Sequence, residues 1–375
     1  MGVEDQGFKR PIRVARGTWQ LLDDAGEEAP CQGDVAATWG TYPGGSNGQV
    51  KWMHLHFLAD VPAGGSRQYH LEIGPEVVNS TRSDLSVADD ADAVTITTGI
   101  GAGALRLVIS RERFNVLDEV ALDLTGDGFG PDDTIIRPRD SANLAVRYDH
   151  MAASINTSQP EVTVEKAGPV LAVVRVKVKL DGRFESIVRI YAYAGSSYVR
   201  IQETLIHGPT GQDRSAYRSQ PVVMKSHALE FPLEFDPAEA VATFGIGEAL
   251  PEPPQFDARA IPLAKPGRAA LEQDLTHVCR KGNLGDDGLS AAFGYELFAD
   301  GEPIHSGRRA PGWVDVSDGR RGVTAAVRSF WQTFPKRIVA TAGAIRLEHW
   351  ADGAQLDPVS RNFNWMGMAK THDVG

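Results

Sequence analysis

The chain has 375 residues, 42% of them hydrophobic and 23% charged, with a formal net charge of −11 at pH 7. That composition excludes a disordered chain and suits a well-cored protein long enough for two or three domains. No apolar run approaches the roughly 20 residues of a membrane helix, and the acidic balance argues against a nucleic-acid partner while leaving room for a locally basic cleft.

Taken from the N-terminus, the opening MGVEDQGFKRPIRVARG has no hydrophobic h-region, so no secretory signal is legible. The expectation is an intracellular protein, or a secreted one whose true start lies upstream. Cys31 and Cys279 stand far apart without metal-ligand spacing and read as two separate thiols. Period-two alternation then dominates: 50–61 (VKWMHLHFLADV), 93–99, 103–110, 170–180 (VLAVVRVKVKL), 186–195, 196–208, 227–235, 322–331 and 344–350. Gly, Pro, Asp and Asn clusters separate these runs, which is the pattern of an all-β sandwich or barrel. The polar, acidic stretch 74–90 marks a first boundary. Residues 236–244 (DPAEAVATF) are expected to form two helical turns, and the Pro- and Gly-rich 245–270 to be a long loop crossing between sheets. No short repeat period is present.

Several stretches carry chemistry. In 170–193, Val174, Val176 and Val178 share one face of a strand and Arg175, Lys177 and Lys179 the other. On the next strand Arg189, Tyr191 and Tyr193 share a face. Such a surface is either an ordinary solvated sheet face or a site for an acidic sugar polymer, with rings on apolar sugar faces and cations on carboxylates. Segment 305–337 adds Arg308, Arg309, Arg320, Arg321, Arg328, Lys336 and Arg337 around a predicted hairpin turn, SDGRRG. Its Trp313 and Trp331 serve as core anchors or as a sugar subsite.

Segment 214–231 gathers Arg214, Tyr217, Arg218, Lys225 and His227, residue types suited to β-elimination from a uronic acid. A cation stabilises the carboxylate as it gains enolate character, a neutral Tyr or His removes the C5 proton, and an acid assists the departing oxygen. The candidate bases are Tyr217 and His227, the carboxylate partners Arg214, Lys225 and Lys370, and His372 a further base or acid. Glycoside hydrolysis would instead need paired carboxylates, for which Glu119, Glu203, Asp315 and Asp318 are available.

Such a β-elimination requires no bound cofactor, and the lack of a Walker loop or Rossmann fingerprint is consistent with that; no G-x-S-x-G elbow is present either. A divalent cation such as Ca²⁺ remains an option. The 123–134 loop offers Asp123, Asp127 and Gly128, but Thr134 stands where a bidentate glutamate would close a calcium site, and an Asp-Gly turn is the plainer reading. His54 and His56 face one side of a strand without an evident third ligand, so no metal site is assigned.

The stretches ATWGTYPGGSNGQVKWMHLHFLADVPAGGSRQYHLEIG, TGIGAGALRLVISRERFNVLDEVALD, VTVEKAGPVLAVVRVKVKLDG, IVRIYAYAGSSYVRIQETLIHG and GWVDVSDGRRGVTAAVRSFWQTFPK, followed by GMAKTHD, run along the whole chain. Together they resemble the exo-rhamnogalacturonan lyase family and its bacterial YetA-like relatives. The resemblance implies a small N-terminal β-barrel-like domain over 1–80 and a central β-sandwich over 81–363. It further implies that 364–375 begins a linker to a helical (α/α) domain. The family's usual D-G-S turn is replaced here by GGSNGQ. The implied activity is β-elimination of an acidic, rhamnose-containing pectic polysaccharide or oligosaccharide. The alternative is a non-catalytic carbohydrate-binding or scaffolding β-sandwich. Oligomeric state is not legible.

Overall fold

The computed structural model describes residues 19–41, 45–80, 82–137, 144–148, 159–180, 184–208, 222–248, 255–264, 267–273, 293–352, 363–364 and 369–375. Alternating runs cut by turn residues leave no room for long helices, and among these residues only Pro131–Asp133 is helical, a single 3-10 turn. The fold is all-β.

The first strands are β1 (Trp19–Asp23), β2 (Glu28–Ala29), a hairpin of β3 (Cys31–Thr41) and β4 (Gly45–Phe57), and β5 (Tyr69–Ile73). β1 pairs with β2 and β5 in a three-stranded sheet, and β3 with β4. Trp19, Leu21 and Cys31 form a small buried cluster of their own here. A five-stranded antiparallel meander follows: β6 (Ser86–Asp89), β7 (Ala93–Thr97), β8 (Leu105–Ser110), β9 (Glu119–Leu122) and β10 (Thr134–Ile136).

The remaining strands build the sandwich. They are β11 (Leu144–Tyr148), β12 (Glu161–Ala167), β13 (Leu171–Leu180), β14 (Phe184–Tyr193), β15 (Val199–His207), β16 (Val222–Pro232), β17 (Val241–Glu248), β18 (Gln255–Pro262) and β19 (Arg268–Gln273). β20 (Tyr295–Ala299), β21 (Glu302–Gly307), β22 (Trp313–Ser317), β23 (Gly322–Ala326), β24 (Lys336–Thr341), β25 (Ala344–Trp350), β26 (Phe363–Asn364) and β27 (Ala369–Val374) complete it. One sheet is five-stranded, in the order β12-β13-β14-β15-β27. It faces the eight-stranded sheet β11-β16-β25-β24-β19-β20-β21, with β26 paired to β16, and a four-stranded sheet β18-β17-β22-β23 packs beside them. Strands whose alternate residues are Val174, Val176, Val178 or Ile338, Ala340 turn those residues inward, where all are at most 1% exposed.

Three expectations need correction. Residues 236–244 form no helix: 237–239 is a turn, and Val241 onward is β17, whose alternating Ala242, Phe244 and Ile246 are buried. The stretch 245–270 is largely strand, carrying the end of β17, then β18, then the start of β19. Pro262 sits at a strand end, where a missing N–H costs little. Residues 369–374, read as the start of a linker, are an edge strand bonded along β15 in register from Ile201↔Val374 to Ile206↔Ala369. The predicted turn SDGRRG does join two paired strands, β22 and β23.

Candidate functional site

The inner face of β15 begins as a sandwich core should, with Ile201, but the next inward residue is Glu203, fully buried at 0% exposure. Across the pair, β27 repeats the switch. Val374 lies opposite Ile201 and His372 opposite Glu203. One step further, Lys370 lies opposite Leu205. The facing sheet does the same at this end. On β24, Lys336 shares the face of Ile338 and Ala340, and on β25, His349 shares that of Ile345 and Leu347. β16 contributes His227.

Glu203, His227, Lys336, His349 and His372 meet between the sheets. Ser186 of β14 donates to Glu203 Oε1 at 2.6 Å, and the other carboxylate oxygen lies 3.3 Å from His227 Nε2. The His227 ring is edge-on to His349 and His372, with centroids 5.3 and 5.7 Å away. His349 and His372 stack with centroids 4.1 Å apart and planes 1° from parallel. Lys336 Nζ stands 3.1 Å from His372 Nδ1. Among the described residues, neither His349 nitrogen has a hydrogen-bond partner, nor does the Ser226 hydroxyl beside His227.

Burial without enough anions sets the electrostatics. Desolvation, reinforced by the Lys370 charge and only partly offset by Glu203, brings the Lys336 ammonium down to about 7. Burial, and then the neighbouring His372, Lys336, His227 and Lys370, push His349 well below the ordinary histidine range. Burial and then Lys336 do the same to His372. Both rings are therefore neutral at pH 7. Lys370 is an exposed residue, yet desolvation by the surrounding protein still pushes its ammonium below the usual lysine range. Its charge is felt by Lys336, His349 and His372.

Chemically, this is a lysine brought to about 7 beside two imidazoles held neutral, with more groups able to become cations than carboxylates to balance them. An anion beside Lys370 would favour the charged form of that ammonium. Among the described residues no group of three or more His, Cys, Asp or Glu is placed to hold a metal ion. The Asp123 carboxylate of the calcium-like loop instead accepts the N–H groups of Thr125, Gly126 and Gly128.

Of the sequence candidates, His227, His372 and Lys370 come together here. Lys225 points away to solvent from β16, and Arg214 and Tyr217 lie outside the described residues. The 170–193 face is laced by internal ion pairs: Arg189 with Glu165 at 2.8 Å, Arg175 with Glu161 at 3.0 Å and Lys177 with Glu185 at 3.1 Å. Tyr191 carries the Arg200 guanidinium 5.2 Å above its ring, and Tyr193 stacks on Tyr198. Trp313 is half-buried, its indole closing on Gly245, where an added Cβ would stand 2.2 Å from Nε1. Trp331 is half-buried against Phe293 and Arg309.

Sequence reading missed Lys336 as a site residue, and His349 and Ser186 altogether. The available signal was an apolar alternation ending in a histidine or lysine, as in AIRLEHW and KRIVAT. It also missed Trp39 and Trp52 on the β3–β4 hairpin, which are 50% and 65% exposed. Lys51 lies 4.9 Å over the Trp39 ring.

No family model matches the chain, and no curated protein matches it. Among solved structures it is similar to a galactose mutarotase-like protein from Clostridium acetobutylicum, with 9% identity, a TM-score of 0.37, and coverage of 78% of this chain and 97% of that one. A galactose mutarotase related enzyme from Lactobacillus acidophilus gives 12% identity, a TM-score of 0.34, and 75% and 96% coverage. A GH36 α-galactosidase from Geobacillus stearothermophilus gives 10% identity, a TM-score of 0.34, and 75% and 40% coverage. Similarity at this level carries no argument about activity.

Proposed function

We propose that this chain acts on an acidic, rhamnose-containing pectic polysaccharide by β-elimination, with the inter-sheet cluster as its acid–base centre. The observation that carries the reading is Lys336, 1% exposed and bonded to a histidine rather than a carboxylate, a burial that pushes its ammonium down to about 7. A uronate carboxylate entering past Lys370 supplies the missing negative charge. Lys370 neutralises it and makes the C5 proton more acidic, and the free amine of Lys336 takes that proton. The released electron pair forms the C4–C5 double bond as the C4–O bond breaks, and His227, oriented by Glu203, protonates the departing oxygen.

The test is the ultraviolet absorbance of the unsaturated product, followed with rhamnogalacturonan oligosaccharides. Lys336→Met and His227→Gln are each expected to lower turnover at least a hundredfold while the fold is retained. Unchanged turnover in both would end the proposal.

A second reading, a non-catalytic carbohydrate-binding module, is favoured by the depth of the cluster and by the exposed indoles of Trp39 and Trp52. Glycan binding without product, abolished by Trp39→Ala and Trp52→Ala but unaffected by Lys336→Met, would select it.

A further inference from the structure

A cavity of about 370 Å³ opens where three sheets converge. Leu107 of β8 and Val120 of β9 form one wall, Ile201 of β15 and Val374 of β27 a second, and Val323 and Ala325 of the edge strand β23 a third. Ile135, Ile136 and Phe231 add further carbon to the lining. Interiors close to crystal density and leave few voids larger than a water molecule, so this space is far beyond a packing defect. Among the described residues its wall carries no charged side chain. The exposed residues at its mouth include Ser197, Tyr198, Gly322 and Thr324. The Thr324 hydroxyl is engaged by Asp315 at 2.8 Å, which leaves the Ser197 and Tyr198 hydroxyls to face an entering group.

We infer that this cavity binds one neutral, apolar molecule of about two aromatic rings' bulk, its single polar group held at the mouth by Ser197 and Tyr198. The size follows from scale. An apolar cavity of about 150 Å³ accommodates benzene, and this one is between two and three times larger. Neutrality follows from the lining, since a charge carried in would lose its water without gaining a partner. An apolar space of this kind is poorly wetted, so an apolar guest displaces little ordered water. The walls are paired strands, so the space is pre-formed. The site is separate from the proposed catalytic cluster. Ile201 and Val374 sit one inward position along from Glu203 and His372 on the same two strands.

The test uses the fluorescence of N-phenyl-1-naphthylamine titrated into the whole protein. Saturable, blue-shifted emission at one probe per chain is expected. 2-Naphthol is expected to displace the probe at concentrations at least tenfold below those needed with naphthalene-2-sulfonate, the same rings carrying a charge. Val323→Trp and Leu107→Phe, which fill the space from opposite walls, are each expected to weaken the probe at least tenfold. Absence of saturable binding, equal displacement by the sulfonate, or unchanged affinity in both variants when folded would overturn the inference. The comparison of neutral and charged competitors needs no variant and decides the matter if both variants fail to fold.

Discussion

Lowering the pH from 7 to 5 should destabilise this protein through its buried histidines. His349 and His372 are 1% and 6% exposed, and both are held below the ordinary histidine pKa by burial and by the cations around them. In the unfolded chain each takes up a proton as the pH falls through about 6.5; in the folded chain each stays neutral. The unfolded state then binds more protons, so stability falls as the pH falls, by about 1.4 kcal/mol per pH unit for each ring once well below 6.5. Between pH 7 and 5 the two rings together cost about 4 kcal/mol, a large share of the roughly 5–15 kcal/mol typical of a folded domain. Lys336 contributes little there, because below its folded pKa of about 7 it is protonated in both states. Urea denaturation at pH 7, 6 and 5 measures the slope. His349→Leu loses no hydrogen bond among the described residues, so stability at pH 7 is expected to be unchanged or higher, and the acid slope about half that of the parent. Equal slopes in the two proteins would refute the assignment of the acid sensitivity to this cluster.

Lys336→Met should stabilise the protein at pH 7 while lowering the turnover expected of the proposed β-elimination. Folding works against the Lys336 proton, so stability should rise between pH 7 and 10.5 in the parent. The variant should lack that rise and gain on the order of 2–4 kcal/mol at neutral pH, as urea midpoints would report. Gly312→Ala should cost about 2–4 kcal/mol and lower the melting temperature, because φ is +81° there and the new Cβ would stand 2.2 Å from Phe330 Cβ. Arg321→Ala should cost about 2–3 kcal/mol. Its guanidinium donates to the carbonyls of Asp132 and Thr134 at 2.6 and 2.8 Å and also reaches that of Glu234, tying the turn before β10 to the end of β16.

Much of the fold could be read locally because strand formation here is an alternation problem. Val174, Val176 and Val178 declare which face goes inward without reference to any partner. The failures occurred where pairing overrides propensity. Ala-rich 236–244 has helical composition, but Ala242 and Phe244 pair on both sides, with β18 and β22, and become part of β17. At the site, sequence supplied His227, His372 and Lys370 as residue types suited to proton transfer. It could not supply their meeting, which joins strands more than a hundred residues apart. Arg321 shows the converse: one of a run of cations in sequence, it is spent on backbone carbonyls in the structure. The cations of 170–193 are likewise matched to Glu161, Glu165 and Glu185, carboxylates whose register no local pattern reveals.

The strongest reason to regard the inter-sheet cluster as functional is its energetic cost. A sandwich interior is most stable when every inward position is apolar, and replacing buried charged groups with well-packed apolar side chains is often neutral or stabilising. Here β15, β24, β25 and β27 each bury apolar side chains on the inward face, and all four strands break that rule in one region. They place Glu203, Lys336, His349 and His372 in a common space with too few partners to satisfy them. A single buried histidine can be an accident of packing. Four strands from two sheets departing from the apolar pattern at one level, with a lysine brought to about 7 as the result, are what the proposed binding of an anionic substrate would account for. Stability and activity should therefore move in opposite directions when Lys336 is replaced, which a purely structural role for the cluster would not produce.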